Sequence, residues 1–113
     1  MTELGPLDVL TVGEALGLLI AQQPGPLEAV SGFTRAAAGA ELNVAVGLAR
    51  LGLRVAYLSR LGNDSFGRHL RAFMQAEGID TRLVATDPAH PTGFMLKTLA
   101  TDGSDPATEY HRQ

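Results

Sequence analysis

Short apolar runs separated by turn-forming residues mark the first part of the chain. Residues 8–12 (DVLTV) are β-branched and apolar and end at Gly13, which predicts a buried strand that we expect to be central in its sheet. Residues 16–20 form a second apolar run, followed by a stretch rich in proline and glycine. Residues 30–37 are then expected to return as the partner strand of that run.

The middle of the chain alternates between helical and strand patterns. Residues 41–51 are apolar nearly all round a helix, which predicts a buried helix, and Gly52 supplies a left-handed stop. Residues 54–61 are typical of a strand. Asp64 is placed to cap a second helix that reaches residue 77. This order predicts parallel strands with right-handed helical crossovers, and hence an α/β fold.

After residues 87–91 the pattern changes to two strand-like segments with no helix between them. Residues 93–99 and 107–112 have strand patterns, and a polar turn lies between them at residues 101–106. We expect an antiparallel hairpin placed outside the main sheet.

Composition narrows the class of protein. The 113 residues, 45% hydrophobic and 19% charged, suit one small globular domain. The net charge of -3 comes from acidic and basic residues spread along the chain, so neither nucleic acid nor a membrane is an expected partner. Without cysteine there are no disulfides or thiolate zinc sites. No signal peptide or membrane-spanning run is visible, so the expected compartment is the cytoplasm.

One segment carries a candidate binding site. Residues 36–43 place small residues directly before a helix whose first turn contains Asn43. Free backbone N–H groups and the positive end of the helix dipole can hold an oxygen-rich ligand there. The alternative is structural, with Gly39 and Ala40 making the turn and Asn43 bonding to the backbone at the helix start. The residues by themselves leave both interpretations open.

Other polar side chains are weaker candidates. Glu14 follows the first strand at the edge where open α/β sheets collect ligands, and it equally suits a solvated turn. His69 is expected on the exposed face of the second helix. His90 and His111 have no cysteine or spaced carboxylate partners, so we expect neither a metal site nor a catalytic histidine.

The spacing of glycines around an asparagine resembles the N-terminal signature of the ribokinase-like PfkB carbohydrate kinases. In that signature a Gly-rich turn and an asparagine are followed at fixed distances by two more glycines. The matching residues are the run 38–45 (AGAELNVA), Gly52 and Gly62. The chain departs at Ala38, where a second glycine is usual, and at Glu41, which is typical of one branch of the family.

Within the family, the chain resembles the 2-keto-3-deoxygluconate kinases (2-dehydro-3-deoxygluconokinases), and the similarity covers nearly its whole length. The segments that carry it are residues 39–52, 13–14, 25–27, 62–67, 92–93 and 110–112. In these kinases a Gly-Ala-Glu-x-Asn turn, a nearby acidic residue and a Tyr-x-Arg segment meet an acid sugar. The resemblance implies substrate contacts at Gly39, Ala40, Glu41, Leu42, Asn43, Met95, Tyr110, His111, Arg112 and Glu14. Met95 stands where some relatives carry a substrate-contacting tyrosine. An arginine makes sense because a planar guanidinium can pair with the sugar carboxylate; without the resemblance, Tyr110 and Arg112 would be exposed strand residues.

The resemblance also implies the architecture and the cofactors. We expect the N-terminal part of a three-layer α/β/α sandwich, with a small β-sheet lid formed by residues 16–37 and 92–113 that closes over the sugar. ATP and Mg²⁺ are the expected cofactors of the parent enzyme. The family's Gly-Ala-Gly-Asp motif, which holds the catalytic aspartate, does not occur in residues 1–113. We therefore expect a fragment or truncated product with no ATP site, no catalytic residue and no kinase activity of its own.

Two alternatives are kept. One is a kinase of a neutral sugar such as fructose or ribose, for which Arg112 would need no carboxylate partner. The other is a non-catalytic sugar-binding or dimerising module, in which the lid edges pair between subunits to form a homo-oligomer.

Overall fold

The computed structural model describes residues 6–101, 103 and 105–112. Asp102 and Ser104 of the predicted hairpin turn, and Gln113 of the predicted lid, lie outside these residues. One short 3₁₀ helix, Leu27–Ala29, lies between the second and third strands of the described range. The main elements are β1 (Val9–Val12), β2 (Leu16–Ala21), β3 (Phe33–Ala38), α1 (Ala40–Arg50), β4 (Val55–Gly62), α2 (Ser65–Ala76), β5 (Val84–Asp87), β6 (Phe94–Lys97) and β7 (Thr108–His111).

The first sheet is parallel and has the order β1-β4-β5. Val9 pairs with Val55 and Ser59 pairs with Val84, so β4 is central and β1 is an edge strand in the described sheet. The prediction that residues 8–12 form the central, buried strand is therefore wrong: alternate residues of β1 are exposed. Strand β5 was not predicted, because its four residues (VATD) are too short and too polar to show a period.

Both helices pack on one face of this sheet and build a single core. Its largest fully buried side chains are those of Leu42, Val55, Tyr57, Leu61, Leu70 and Met74. The opposite face of the sheet is exposed in the described residues, so two of the three expected layers are present. No described helix is long and apolar enough to cross a membrane.

Two expectations about the helices are corrected. In α1 only Leu42 and Ala45 are buried, and Val44 is 55% exposed, because one of its two apolar stripes faces the sheet and nothing described covers the other. In α2 the predicted amphipathic pattern is confirmed, but His69 is half-buried rather than exposed. Its Nε2 atom is shielded from solvent and has no hydrogen-bond partner in the described structure.

The second sheet has the order β3-β2-β6-β7, with antiparallel pairs at its two ends and a parallel pair, β2 and β6, in the middle. The predicted partner of the 16–20 run and the predicted hairpin outside the main sheet are both confirmed. An aromatic stack joins this sheet to α2. Phe94 lies between Phe66 and His111, with ring centroids 5.2 Å and 4.9 Å away. We call this four-stranded sheet the lid sheet; its closure over a ligand stays a prediction.

Asp64 links α2 to the start of the lid sheet. Its carboxylate caps α2 by accepting from the Gly67 N–H at 2.8 Å, and it also accepts from the N–H and Oγ1 of Thr92 at 2.9 and 2.7 Å. Thr92 is buried, and its Oγ1 also accepts from the Gly62 N–H at 2.7 Å. These bonds fix where the chain leaves the first sheet and enters β6.

Candidate functional site

A cavity of about 590 Å³ lies between one face of the lid sheet and the first turn of α1. Its volume is within the range of small-molecule sites. Alternate residues of β2 and β6 face it, because strand side chains point to the two faces in turn. The lining residues are Glu14, Leu16, Leu18, Ala37, Ala38, Gly39, Ala40, Glu41, Asn43, Met95, Lys97, Tyr110 and Arg112.

The turn before α1 forms one end of the cavity. Gly39 has φ 128°, a backbone angle that other residues rarely adopt, and a Cβ at this position would lie 2.5 Å from the carbonyl oxygen of Glu14. This close approach lets the helix start directly beside the Glu14 loop. The Asn43 N–H donates to the Gly39 carbonyl at 3.0 Å, while the Asn43 side chain is exposed to the cavity. Gly39 thus makes the turn, as the structural interpretation expected, but no described hydrogen bond joins the Asn43 side chain to the backbone at the helix start. Its amide is therefore free to contact a ligand.

An ion pair crosses the cavity. Arg112 Nη1 donates to Glu14 Oε1 at 3.2 Å, and the two side chains are 50% and 47% exposed. The Arg112 guanidinium also lies over the Tyr110 ring, 4.7 Å from its centroid. The pair places Glu14 in the cavity, so it is more than a solvated turn residue, and it leaves several guanidinium N–H groups for a ligand.

Tyr57 of β4 is fully buried. Its hydroxyl has no hydrogen-bond partner among the described residues. Burial raises the pKa of Tyr57 to about 12, and the negative charges of Glu41 and Glu14 add to the effect. The phenol therefore stays neutral at physiological pH. The two carboxylates lie close enough for their charges to act on the Tyr57 hydroxyl.

The structure brings most of the predicted substrate residues to one cavity. They are Glu14, Gly39, Ala40, Glu41, Asn43, Met95, Tyr110 and Arg112. That these residues bind a substrate remains a prediction.

Leu42 and His111 were predicted at the site and do not line this cavity. Leu42 is 1% exposed and belongs to the core, because it is one of the two α1 residues that face the first sheet. His111 alternates with Tyr110 and Arg112 on its strand, so it points to the other face of the lid sheet and stacks on Phe94. Its contribution to the site is to anchor the strand that carries Tyr110 and Arg112.

Sequence reasoning missed Lys97 together with the apolar wall of Leu16 and Leu18. A signal existed for Lys97. It lies two residues after Met95 in a predicted strand, and the period of two places both side chains on the same face. Within the described part of the chain, no group of three or more His, Cys, Asp or Glu side chains is arranged to hold a metal ion.

The fold and the cavity together define a class of protein: an α/β domain whose small second sheet covers a polar cavity at the start of a helix. Residues 7–110 match the pfkB family carbohydrate kinase model. The chain belongs to the pfkB family of carbohydrate kinases.

Among curated proteins, the 2-dehydro-3-deoxygluconokinase of Bacillus subtilis (strain 168) is 41% identical to this chain over 108 residues. The aligned part is 95% of this chain and 33% of the relative. The chain thus spans about a third of the length of the curated relatives that it matches.

Solved structures agree with this assignment. The crystal structure of a PfkB protein from Polaromonas sp. JS666 is 57% identical, with a TM-score of 0.90 over 95% of this chain and 35% of the other. An uncharacterized sugar kinase from Pyrococcus horikoshii, solved in complex with ATP, is 35% identical, with a TM-score of 0.84 over 90% of this chain and 33% of the other. These matches confirm the predicted ribokinase-like α/β fold.

Proposed function

We propose that this chain forms the sugar-binding part of a carbohydrate kinase that transfers the γ-phosphate of ATP to the terminal hydroxyl of 2-keto-3-deoxygluconate. The observation that carries the proposal is the composition of the cavity. It combines hydrogen-bond acceptors, Glu14, Glu41 and Asn43, with two cations, Lys97 and Arg112. The acceptors can bind sugar hydroxyls, and the two cations can bind a carboxylate.

The choice of an acid sugar is also supported by similarity to the Bacillus subtilis 2-dehydro-3-deoxygluconokinase. In the proposed complex, Arg112 keeps its bond to Glu14 and uses its other N–H groups for the sugar carboxylate. Glu41 and Asn43 would accept and donate hydrogen bonds at the hydroxyl end. The lid sheet would exclude water from the sugar during transfer.

We assign nucleotide binding to the parent enzyme. The Pyrococcus horikoshii sugar kinase was solved with ATP, and phosphoryl transfer of this kind uses a divalent ion such as Mg²⁺. Among the described residues no group of three or more His, Cys, Asp or Glu side chains is arranged to hold a metal ion, and we assign the ion, like the nucleotide, to the parent enzyme. The role proposed for this chain is therefore to bind and orient the sugar.

One observation favours a second candidate, a kinase of a neutral sugar. Arg112 is already paired with Glu14 at 3.2 Å, so its charge is partly neutralised before any ligand enters. A fructose- or ribose-type substrate would need hydrogen bonds from the cavity and no additional cation.

Titration calorimetry of the 113-residue chain separates these candidates. We expect heat of binding with 2-keto-3-deoxygluconate and little with fructose or ribose, because only the acid sugar engages the cavity cations. Ligand-observed NMR would detect affinities too weak for calorimetry. Equal binding of all three sugars would favour the neutral-sugar kinase, and the absence of any binding by a folded sample would count against the acid-sugar proposal.

A further inference from the structure

Lys97 is the sole lysine of the sequence and lies on the cavity face of β6. It pairs across the lid sheet with Ile20 on one side and Thr108 on the other. The side chain is half-buried, and its ammonium group has no ion pair or hydrogen bond in the described structure. A partly desolvated cation without a partner costs solvation free energy, which an anionic ligand would restore.

The charges around the cavity leave Lys97 uncompensated. Glu14 and Arg112 neutralise each other at 3.2 Å. That leaves one free anion, Glu41, and one free cation, Lys97. A ligand that complements this pattern carries hydroxyl donors at one end and an anion at the other.

The two free charges lie at opposite ends of the cavity. Glu41 lies beside the first sheet, where a Cβ at Gly13 would approach its side chain to 2.7 Å. Gly93 is also at that end, since a Cβ there would lie 3.3 Å from Glu14 Oε2. Lys97 is four residues further along the strand, roughly 13 Å away at the rise of an extended chain.

Arg112 starts at the Gly93 end, where a Cβ at Gly93 would lie 3.0 Å from the Arg112 Cβ. Its guanidinium is over the ring of Tyr110, which pairs with Met95 in the lid sheet. Arg112 and Lys97 therefore flank the space above Met95 and Tyr110 on the same face. An anionic group in that space would meet both cations.

We propose that Lys97, together with Arg112, binds the carboxylate of the acid sugar and thereby determines specificity and orientation. The acid end lies against the lid sheet, and the hydroxyl end lies at Glu41 and the first turn of α1. This inference rests on the proposed function and adds to it the residue that selects an acid over a neutral sugar.

A single lysine makes a direct test possible. Reductive methylation with ¹³C-formaldehyde labels Lys97 and the N-terminal amine and keeps the positive charge of both. We expect 2-keto-3-deoxygluconate to shift the Lys97 dimethyl resonance, and 3-deoxyfructose, in which a CH₂OH group replaces the carboxylate, to leave it in place. The N-terminal resonance is the internal control. An equal shift with both sugars, or none while the signals of the acid sugar show that it binds, would overturn the inference.

Variants give an independent readout. Lys97→Met should weaken binding of the acid sugar about 10- to 100-fold, the effect of one hydrogen bond to a charged group, and leave 3-deoxyfructose unaffected. Lys97→Arg should retain most of the affinity. Arg35→Gln is the matched control, because Arg35 pairs with Leu19 and points to the opposite face of the lid sheet.

The outcomes distinguish the inference from the function it rests on. If Arg35→Gln weakens the acid sugar as much as Lys97→Met does, long-range charge explains the effect and the role of Lys97 is overturned. If the wild-type chain binds the acid sugar selectively and Lys97→Met changes nothing, the inference fails and the proposed function stands. If the folded wild-type chain binds neither sugar, both fail.

Discussion

Arg112 and Glu14 are 98 residues apart in sequence and meet at 3.2 Å across the cavity. The pair is half-exposed, so solvent screens it and it adds little to stability. The pair matters for ligand binding. A guanidinium has five N–H donors, which is more than one carboxylate can satisfy, so Arg112 can still donate hydrogen bonds to a ligand. Each side chain also partly neutralises the charge of the other, so removing one of them would expose the full charge of its partner to a ligand.

Replacing Arg112 by Met in the complete kinase should raise the KM for the acid sugar about 10- to 100-fold. The variant removes a carboxylate partner and also leaves Glu14 unpaired, where it repels an anionic ligand. Steady-state kinetics with acid and neutral sugars measure the difference, and Arg68→Met on the outside of α2 is the control. Loss of the same size with a neutral sugar would contradict the assignment of Arg112 to the carboxylate.

At the scale of elements, the carboxylate of Asp64 joins the start of α2 to the start of β6. Burial alone would raise the pKa of Asp64, but hydrogen bonds from Thr92 and Gly67, with the charge of Arg68, lower it below the ordinary value of 3.8. A lowered pKa in the folded state means that the ionised form stabilises the fold. That stabilisation is complete above the unfolded-state pKa and is lost as pH falls through the folded-state value.

Asp64→Ala should lower the free energy of unfolding by about 1–3 kcal/mol at pH 7, because it removes a helix cap and leaves Thr92 without its acceptor. Urea unfolding followed by circular dichroism measures this loss.

Asp64→Asn tests the contribution of charge. An asparagine can still cap a helix and does not titrate in this range. The stability gap between wild type and Asp64→Asn should be constant near neutral pH and should shrink as pH falls below about 4, where the unfolded chain binds the proton first. A gap that does not vary with pH would show that the ionised form contributes nothing.

At the scale of the whole molecule, one face of the first sheet carries the helices and the other is exposed. Leu10, Val12 and Leu58 form an apolar patch on this exposed face. Val12 pairs with Leu58 in the next strand, and Leu10, two residues before Val12, shares its face. Contiguous apolar surface of this kind favours association.

We therefore expect the isolated chain to self-associate through this patch as its concentration rises. Leu58→Ser should reduce the association seen by sedimentation velocity, and Leu51→Ser, on an exposed side chain at the end of α1, should not. A concentration-dependent dimer that persists in Leu58→Ser would instead favour the predicted pairing of lid-sheet edges, β3 and β7.

Much of the candidate site could be predicted from the sequence. The run 38–45 with its spaced glycines indicated where α1 begins, and the turn before that helix lines the cavity. Lys97 could also have been predicted, because residues two apart in a strand share a face and Lys97 lies two residues after Met95. His111 was wrongly grouped with its neighbours, because a motif of consecutive residues in a strand is divided between two faces.

The sequence by itself determined the local elements, since helical and strand periods, caps and glycine stops depend on neighbours within a few residues. Tertiary structure decided which of two apolar stripes of α1 is buried, that β4 rather than β1 is central, and that Glu14 meets Arg112. These outcomes depend on register and pairing between distant segments, and a local pattern allows more than one such pairing.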